Sequence, residues 1–474
     1  MICIAGLWPG AALAQSPVTV TIDAEAPGAA IPDDFIGLSF EISNVLPDTN
    51  GNYLFSAQNK PLVSLFTTLG VKNLRVGGGT AEMPAYAVPG PADIDKLFAF
   101  AQATGVKVIY TFRLLNGDMT QAAALAKYME QHYAAQIAFL SIGNEPDWRS
   151  YHNKDPKITN YPSYLSRWRE FSAAIIEAAP TSKMAAPDTG SNYPVPNALD
   201  TDYNGESWTQ RFASDEKNSG FLVAVLQHDY VGQGAKAVSI QTAIDAMLSK
   251  NWVVTNYPAL YDNILARVQR EDFNYRMTEC NDYTGGVDGA SNAFASALWA
   301  LDYMHWHAAH RALGVNFHNK RWIFTDTIYP GPSGDFQINP KGYGLKAFDL
   351  GSHGSIKPVA IANPEGINLT AYAVGSADKL YVTLINKSHG VGAREAHVTI
   401  VSPGMARNVE TIFLTAPNGD VTARTGVTLG GASITSDRPW LGKWESLASE
   451  KPGQCLVKVP AASAAIVKIS TDKI

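Results

Sequence analysis

Between residues 35 and 330, short runs of β-branched and apolar residues alternate with longer stretches in which apolar side chains return every three or four positions. The short runs predict strands over 35–42, 73–77, 106–112, 137–143, 184–187, 222–230, 275–279 and 322–325. The longer stretches predict helices, best marked over 94–104, 119–136, 164–179, 259–271 and 292–313. Eight strands with helices between them predict a (β/α)8 barrel. Beyond about residue 350 the period drops to two. LTAYAV, KLYVTLIN, AHVTIV, VETIFLTA and SAAIVKIS alternate apolar with polar residues between Gly, Asn, Pro and Ser turns, which predicts a β-sandwich. VTVTID at 18–23 has the same alternation ahead of the first barrel strand, so it is expected to join the C-terminal sheet. The expected organisation is an export signal over 1–14, an N-terminal strand within 15–30, a catalytic α/β barrel over 31–348 and a β-sandwich over 349–474.

A chain of 474 residues exceeds what one core usually serves, consistent with a large domain and a smaller one. A formal charge of −6 gives no basic footprint, so nucleic acid and long polysulfated chains are poor partners. The opening MICIAGLWPGAALA is uncharged, apolar and ends in a small-x-small triplet, the pattern of a cleaved secretory signal, which predicts a periplasmic or secreted protein. The other apolar stretches carry Asp, Lys, Arg or His, so no membrane span is expected. Cys3 would leave with the signal. Cys280 follows Glu279 in a strand, which turns its thiol toward the packing layer rather than the barrel mouth.

In such a barrel the reacting groups stand where strands end at the C-terminal face. The fourth strand, IAFLSIGNEPD, ends in Asn144-Glu145-Pro146, and the seventh, YRMTECND, reaches Glu279. Strands four and seven face each other across the mouth. Hydrolysis of a glycoside with retention needs two carboxyl groups about 5 to 5.5 Å apart, one neutral to protonate the leaving oxygen and one ionised to attack the anomeric carbon. Glu279 is expected as the nucleophile and Glu145 as the acid/base. The competing structural reading has Glu145 capping a helix and Glu279 paired with Arg276. Gly77-Gly78-Gly79 lacks dinucleotide spacing and reads as a tight loop at the mouth, with Arg75 before it placed to support the nucleophile. His305, His307 and His310 lack metal-ligand spacing, so packing or solvent exposure is expected of them, and neither a metal nor another cofactor is implied.

An Asn-Glu-Pro at strand four with a glutamate at strand seven resembles the clan A glycoside hydrolases. FIGLSFE, LRVGGGTAE, SIGNEPD, the His-x-Tyr of Gln227-His228-Asp229-Tyr230 and TECNDYTGG narrow the resemblance to glycoside hydrolase family 79, the β-glucuronidase and heparanase family. It implies a metal-free barrel with a β-sandwich and retaining hydrolysis of β-linked glucuronic acid. By the same resemblance Asn144 would bind the sugar 2-hydroxyl, and Tyr230 would orient the nucleophile. Tyr283, Gly285, Gly286 and Tyr329 would hold the glucuronate carboxylate. Exo-acting β-glucuronidase is the expected activity. An endo-acting heparanase-like enzyme, a β-glucosidase or β-xylosidase, and an inactive carbohydrate-binding barrel stay open at this point.

Overall fold

The computed structural model describes residues 16–147, 155–190, 206–232, 238–319, 324–332, 334–402, 405–448, 451 and 453–471. The expected export signal lies outside them. Among the described residues no helix is long and apolar enough to cross a membrane.

Strand β1 (Val18–Ile22) precedes a closed barrel of eight parallel strands in sequence order: β2 (Ile36–Glu41), β3 (Asn73–Gly77), β4 (Lys107–Phe112), β5 (Ile137–Ile142), β6 (Met184–Thr189), β7 (Leu222–Gly232), β8 (Tyr275–Tyr283) and β9 (Gly314–Asn319). Seven of these overlap the expected strands. The eighth does not: it is Gly314–Asn319, not 322–325. Of that expected strand, Trp322 and Ile323 lie outside the described residues, and Phe324 and Thr325 form a turn. The reason is chemical. GVNFHN carries Asn316 and His318, polar groups that look like loop residues but are buried and bonded within the barrel. Asn316 Nδ2 donates to Leu38 O at 3.2 Å and Asn73 Oδ1 at 2.8 Å, and His318 Nδ1 lies 3.1 Å from Ser39 Oγ. The helix expected over 292–313 correspondingly stops early, at Phe294–Ala309. Strand β8 also runs four residues past Glu279, so that glutamate lies within the strand rather than at its end.

Helices surround the barrel where the apolar period predicts them. Pro91–Thr104 starts with proline, whose missing N–H costs nothing at a helix start, and buries Ile94, Leu97, Phe98, Phe100 and Ala101. Gly105 closes it at φ 73°, a conformation other residues adopt at a cost. Phe294–Ala309 differs, because every residue from Phe294 to Ala308 is buried. It lies between the barrel and the second domain.

That domain follows the helix Lys341–Gly351 and consists of two sheets. The larger contains β12 (Ser355–Lys357), β14 (Leu369–Ser376), β15 (Lys379–Asn386), β21 (Ser463–Thr471), β17 (Met405–Thr415), β18 (Thr428–Leu429) and β19 (Glu445–Leu447). The smaller has the order β13 (Val359–Ala362), β1, β16 (Ala396–Val401), β20 (Gln454–Val459). As its alternation predicts, β1 lies inside this sheet, antiparallel to β13 and parallel to β16. Val18, Val20 and Ile22 pack between the sheets with Val398, Leu380 and Val467. The other face of the larger sheet presents Val374, Ile385, Ile412 and Ile466 to the barrel's own core. Within that contact, Asp302 of Phe294–Ala309 accepts from Lys387 Nζ at 2.6 Å and from the hydroxyls of Thr370 and Tyr372 at 2.8 Å.

Candidate active site

Local backbone geometry turns Glu145 out of β5. Gly143 and Glu145 take φ of 86° and 47°, so the chain leaves the strand sharply. A non-glycine residue there is uncommon, and strain of this kind concentrates at functional sites. Two bonds hold the turn: Glu145 N–H donates to Asp188 O at 2.9 Å, and Asn144 N–H to Glu82 Oε1 at 3.1 Å. Glu82 also accepts from the N–H groups of Leu114 and Leu115, joining the ends of strands β3, β4 and β5. Burial pushes its carboxyl up to about 7, against those three backbone donors.

Around Glu145 and Glu279 the side chains form a chain of alternating charge. Tyr230 OH donates to Glu279 Oε1 at 2.7 Å, and Arg75 Nη1 donates to Glu279 Oε2 at 2.7 Å. The other end of the guanidinium, Nη2, donates to Asn144 Oδ1 at 2.6 Å and Asp188 Oδ2 at 2.5 Å. Asp188 Oδ1 accepts from Thr278 Oγ1 and, at 3.0 Å, lies beside His228 Nε2. His228 Nδ1 meets Glu145 Oε1 at 3.0 Å. Next to Glu279, His318 Nδ1 lies 3.6 Å from Oε2, and His318 Nε2 lies 3.5 Å from Glu41 Oε1. An oxygen of Glu145, an oxygen of Glu279 and a nitrogen of His228 fall within 4.8 Å of one another.

The surroundings separate the two carboxyls. Burial alone would raise both. For Glu279, the charges of His318, His228 and Arg75 and the Tyr230 hydroxyl overcome it and hold the carboxylate well below its usual range. For Glu145 burial prevails, helped by the negative charges of Glu279 and Asp147, although His228 pulls the other way. Burial also opposes charge on His228, but Asp188 and Glu279 outweigh it and push the imidazole up to about 10. Its two nitrogens face Asp188 and Glu145.

The structure thus brings together Glu145, Glu279, Asn144 and Tyr230. The other four expected residues lie at and beyond the ends of β8 and β9. Tyr283 packs its ring 5.7 Å from Trp252 and donates its hydroxyl to Ala243 O at 3.3 Å. Gly285 and Gly286 adopt φ of 75° and 72° in the turn after β8, where a Cβ on Gly286 would strike Thr325. Tyr329 lies in the hairpin of β10 (Ile328–Pro330) and β11 (Phe336–Ile338), its hydroxyl donating to Gln337 Oε1 at 3.1 Å. Glu279 does not pair with Arg276, which turns toward the opposite end of the barrel and bonds Asn316, Asp34 and Leu313 O. Sequence reasoning assigned no role to Asp188, His228, His318, Glu41 or Glu82. His228 was within reach as the partner of Tyr230 in the His-x-Tyr run, and Asp188 as the carboxylate after the apolar MAAP.

Strand order, barrel closure and two glutamates facing each other across the mouth define the class of (β/α)8 barrels with a carboxylate pair. Solved structures share the whole architecture. One is a 4-O-α-L-rhamnosyl-β-D-glucuronidase from Fusarium oxysporum 12S (TM-score 0.72, 16% identity, covering 95% of this chain and 99% of that one). Another is a family 51 arabinofuranosidase from Xanthomonas axonopodis pv. citri (TM-score 0.69, 16% identity, 96% and 99%). Residues 371–466 match the family described as the glycosyl hydrolase family 79 C-terminal beta domain. A β-glucuronidase of Aspergillus niger is 25% identical over 62% of this chain, and the match spans 62% of that protein's length. The family 79 match thus falls within the C-terminal sandwich, and the chain spans less than two thirds of the length of the β-glucuronidase it resembles.

Proposed function

We propose that this protein is an exported retaining β-glycosidase that removes terminal β-linked glucuronic acid. The observation that carries the reading is the paired site itself: Glu145 and Glu279 lie within 4.8 Å by their nearest oxygens, in surroundings that raise the first carboxyl and depress the second. Such proximity suits direct attack by a carboxylate. An inverting enzyme needs roughly 6.5–9.5 Å between the groups to seat a water. In the first step Glu145 gives its proton to the glycosidic oxygen while a carboxylate oxygen of Glu279 bonds the anomeric carbon and the aglycone departs. Esterification removes the charge on Glu279, so the carboxylate left on Glu145 is no longer opposed by it. In the second step Glu145 takes a proton from water, whose oxygen attacks the anomeric carbon and releases Glu279. Tyr230 and Arg75, bonded to separate oxygens of Glu279, fix its attack angle. Asn144, bonded to Arg75 through Oδ1, has its amide nitrogen as the donor for the sugar 2-hydroxyl.

The family and the β-glucuronidase relative support the choice of sugar. A second reading, hydrolysis of a neutral β-glucoside or β-xyloside, is favoured by the engagement of the Tyr283 and Tyr329 hydroxyls elsewhere. A panel of p-nitrophenyl β-glucuronide, glucoside, xyloside and galactoside separates the two, with the β-glucuronide expected to be the preferred substrate. NMR of the first-formed sugar is expected to show the β-anomer. An initial α-anomer would overturn the retaining mechanism, and a clear glucoside preference would overturn the glucuronide assignment.

A further inference from the structure

Asp188 is buried below the two glutamates and lies on a side-chain path that joins them. It is fully buried at the end of β6, with φ of 61°, outside the ordinary range for a non-glycine residue. One carboxylate oxygen meets Arg75, which bonds Glu279; the other meets His228, which bonds Glu145. Its backbone oxygen accepts from the Glu145 N–H. It is thus bonded to both the main chain and, through His228, the side chain of the acid/base residue.

We propose, on the basis of the retaining mechanism above, that Asp188 is a positioning residue for Glu145. By accepting from Nε2 of His228, it turns Nδ1–H of the ring onto Glu145 Oε1, steadying the carboxylate that Glu145 becomes in the second step. Charge accounting explains why a buried acid belongs here. With Glu145 protonated, Asp188 and Glu279 are balanced by Arg75 and His228. After Glu279 is esterified and Glu145 ionised, Asp188 and Glu145 are balanced by the same two cations. Across these four groups the charges sum to zero at each resting stage, a favourable condition in a buried site. Without Asp188 the imidazole loses the anion on its far side, and burial favours the neutral ring. The groups then facing His228 are Glu145 from β5 and Glu279 from β8. The first step changes little for a substrate whose leaving group needs no proton. The second step loses its support.

The first test needs no variant. In the 15N-histidine-labelled protein at pH 7, both nitrogens of His228 are expected at protonated-imidazolium shifts, and a neutral ring overturns the proposal even if no glycoside is turned over. The second compares Asp188→Asn with wild type on the 2,4-dinitrophenyl β-glycoside of the sugar wild type accepts. The expected result is a kcat lower by about 10- to 100-fold with a parallel drop in KM as glycosyl-enzyme accumulates, and recovery of kcat with azide, which attacks without a base. Unchanged kcat and KM, or a collapse of kcat/KM that azide does not relieve, overturns it. Absence of turnover by wild type itself would instead sink the glycosidase reading and leave the NMR result standing.

Discussion

A glutamate held acidic and a glutamate held ionised, a few ångströms apart, make the pH profile the most direct probe of this site. Glu279 is depressed and Glu145 raised, so activity needs a pH above the first and below the second. The kcat/KM profile is expected to be a bell whose alkaline limb belongs to Glu145. Glu145→Gln, assayed on a substrate with a good leaving group, should lose that limb; its persistence would assign the limb to another group. Arg75 makes a different prediction. Its guanidinium is fully buried between Asp188 and Glu279, and Arg75→Met would leave two carboxylates without their shared cation. Removing one partner of a buried pair typically costs about 3–5 kcal/mol, so the variant should be both destabilised in urea and inactive. Near-wild-type stability would mean that Asp188 and Glu279 take up protons at little expense.

Strands β2 to β8 were legible because apolar runs bracketed by turn residues have few other interpretations. The sandwich strands were legible because one face meets a core and the other a second layer or solvent. Strand β9 was not, because its interior-facing Asn316 and His318 are polar yet bonded by partners distant in sequence, Leu38, Ser39 and Asn73. Hydrophobic periodicity registers burial only where burial is apolar. The candidate site was similarly half visible. Glu145 and Glu279 stand out as carboxylates following apolar strand residues, whereas Asp188, His228 and His318 acquire meaning only when closure sets strands β5 to β9 side by side. Tyr283 follows Glu279 in sequence, and its ring packs against Trp252. A further prediction concerns β1. Val20 is fully buried between the two sheets, and Val20→Asp puts a charge where no counter-ion is provided. A loss of several kcal/mol is expected from the urea midpoint; a change below about 0.5 kcal/mol would place β1 outside the cooperative fold.

Barrel and sandwich share a core, and the buried Asp302–Lys387 pair spans their contact. They are expected to melt together in one calorimetric transition. Lys387→Met should lower that transition by several degrees without splitting it; two resolved peaks in wild type would contradict a shared core. His305, stacked 4.9 Å from Tyr372 and 4.7 Å from Phe348, lies in the same contact and adds an acid sensitivity. Burial pushes its pKa down to about 3, although Asp302 pulls upward. The unfolded chain, with histidine near its ordinary value of about 6.5, therefore binds the proton first as the pH falls. Stability from this residue is intact above about pH 6.5 and drains away from there toward pH 3. Between pH 7 and 5 the loss is on the order of 2 kcal/mol, and His305→Phe should reduce the measured difference by that amount.

The insertion of β1 between β13 and β16 also sets an order of events during synthesis. Val18–Ile22 emerges early, but the strands that flank it follow only after the entire barrel has been translated. At about 5–20 residues per second that delay amounts to tens of seconds, during which an apolar strand has both edges unpaired. A ribosome-bound nascent chain is therefore exposed at the very segment that later locks the molecule shut, and holdase binding to that segment should cease once β16 has left the exit tunnel.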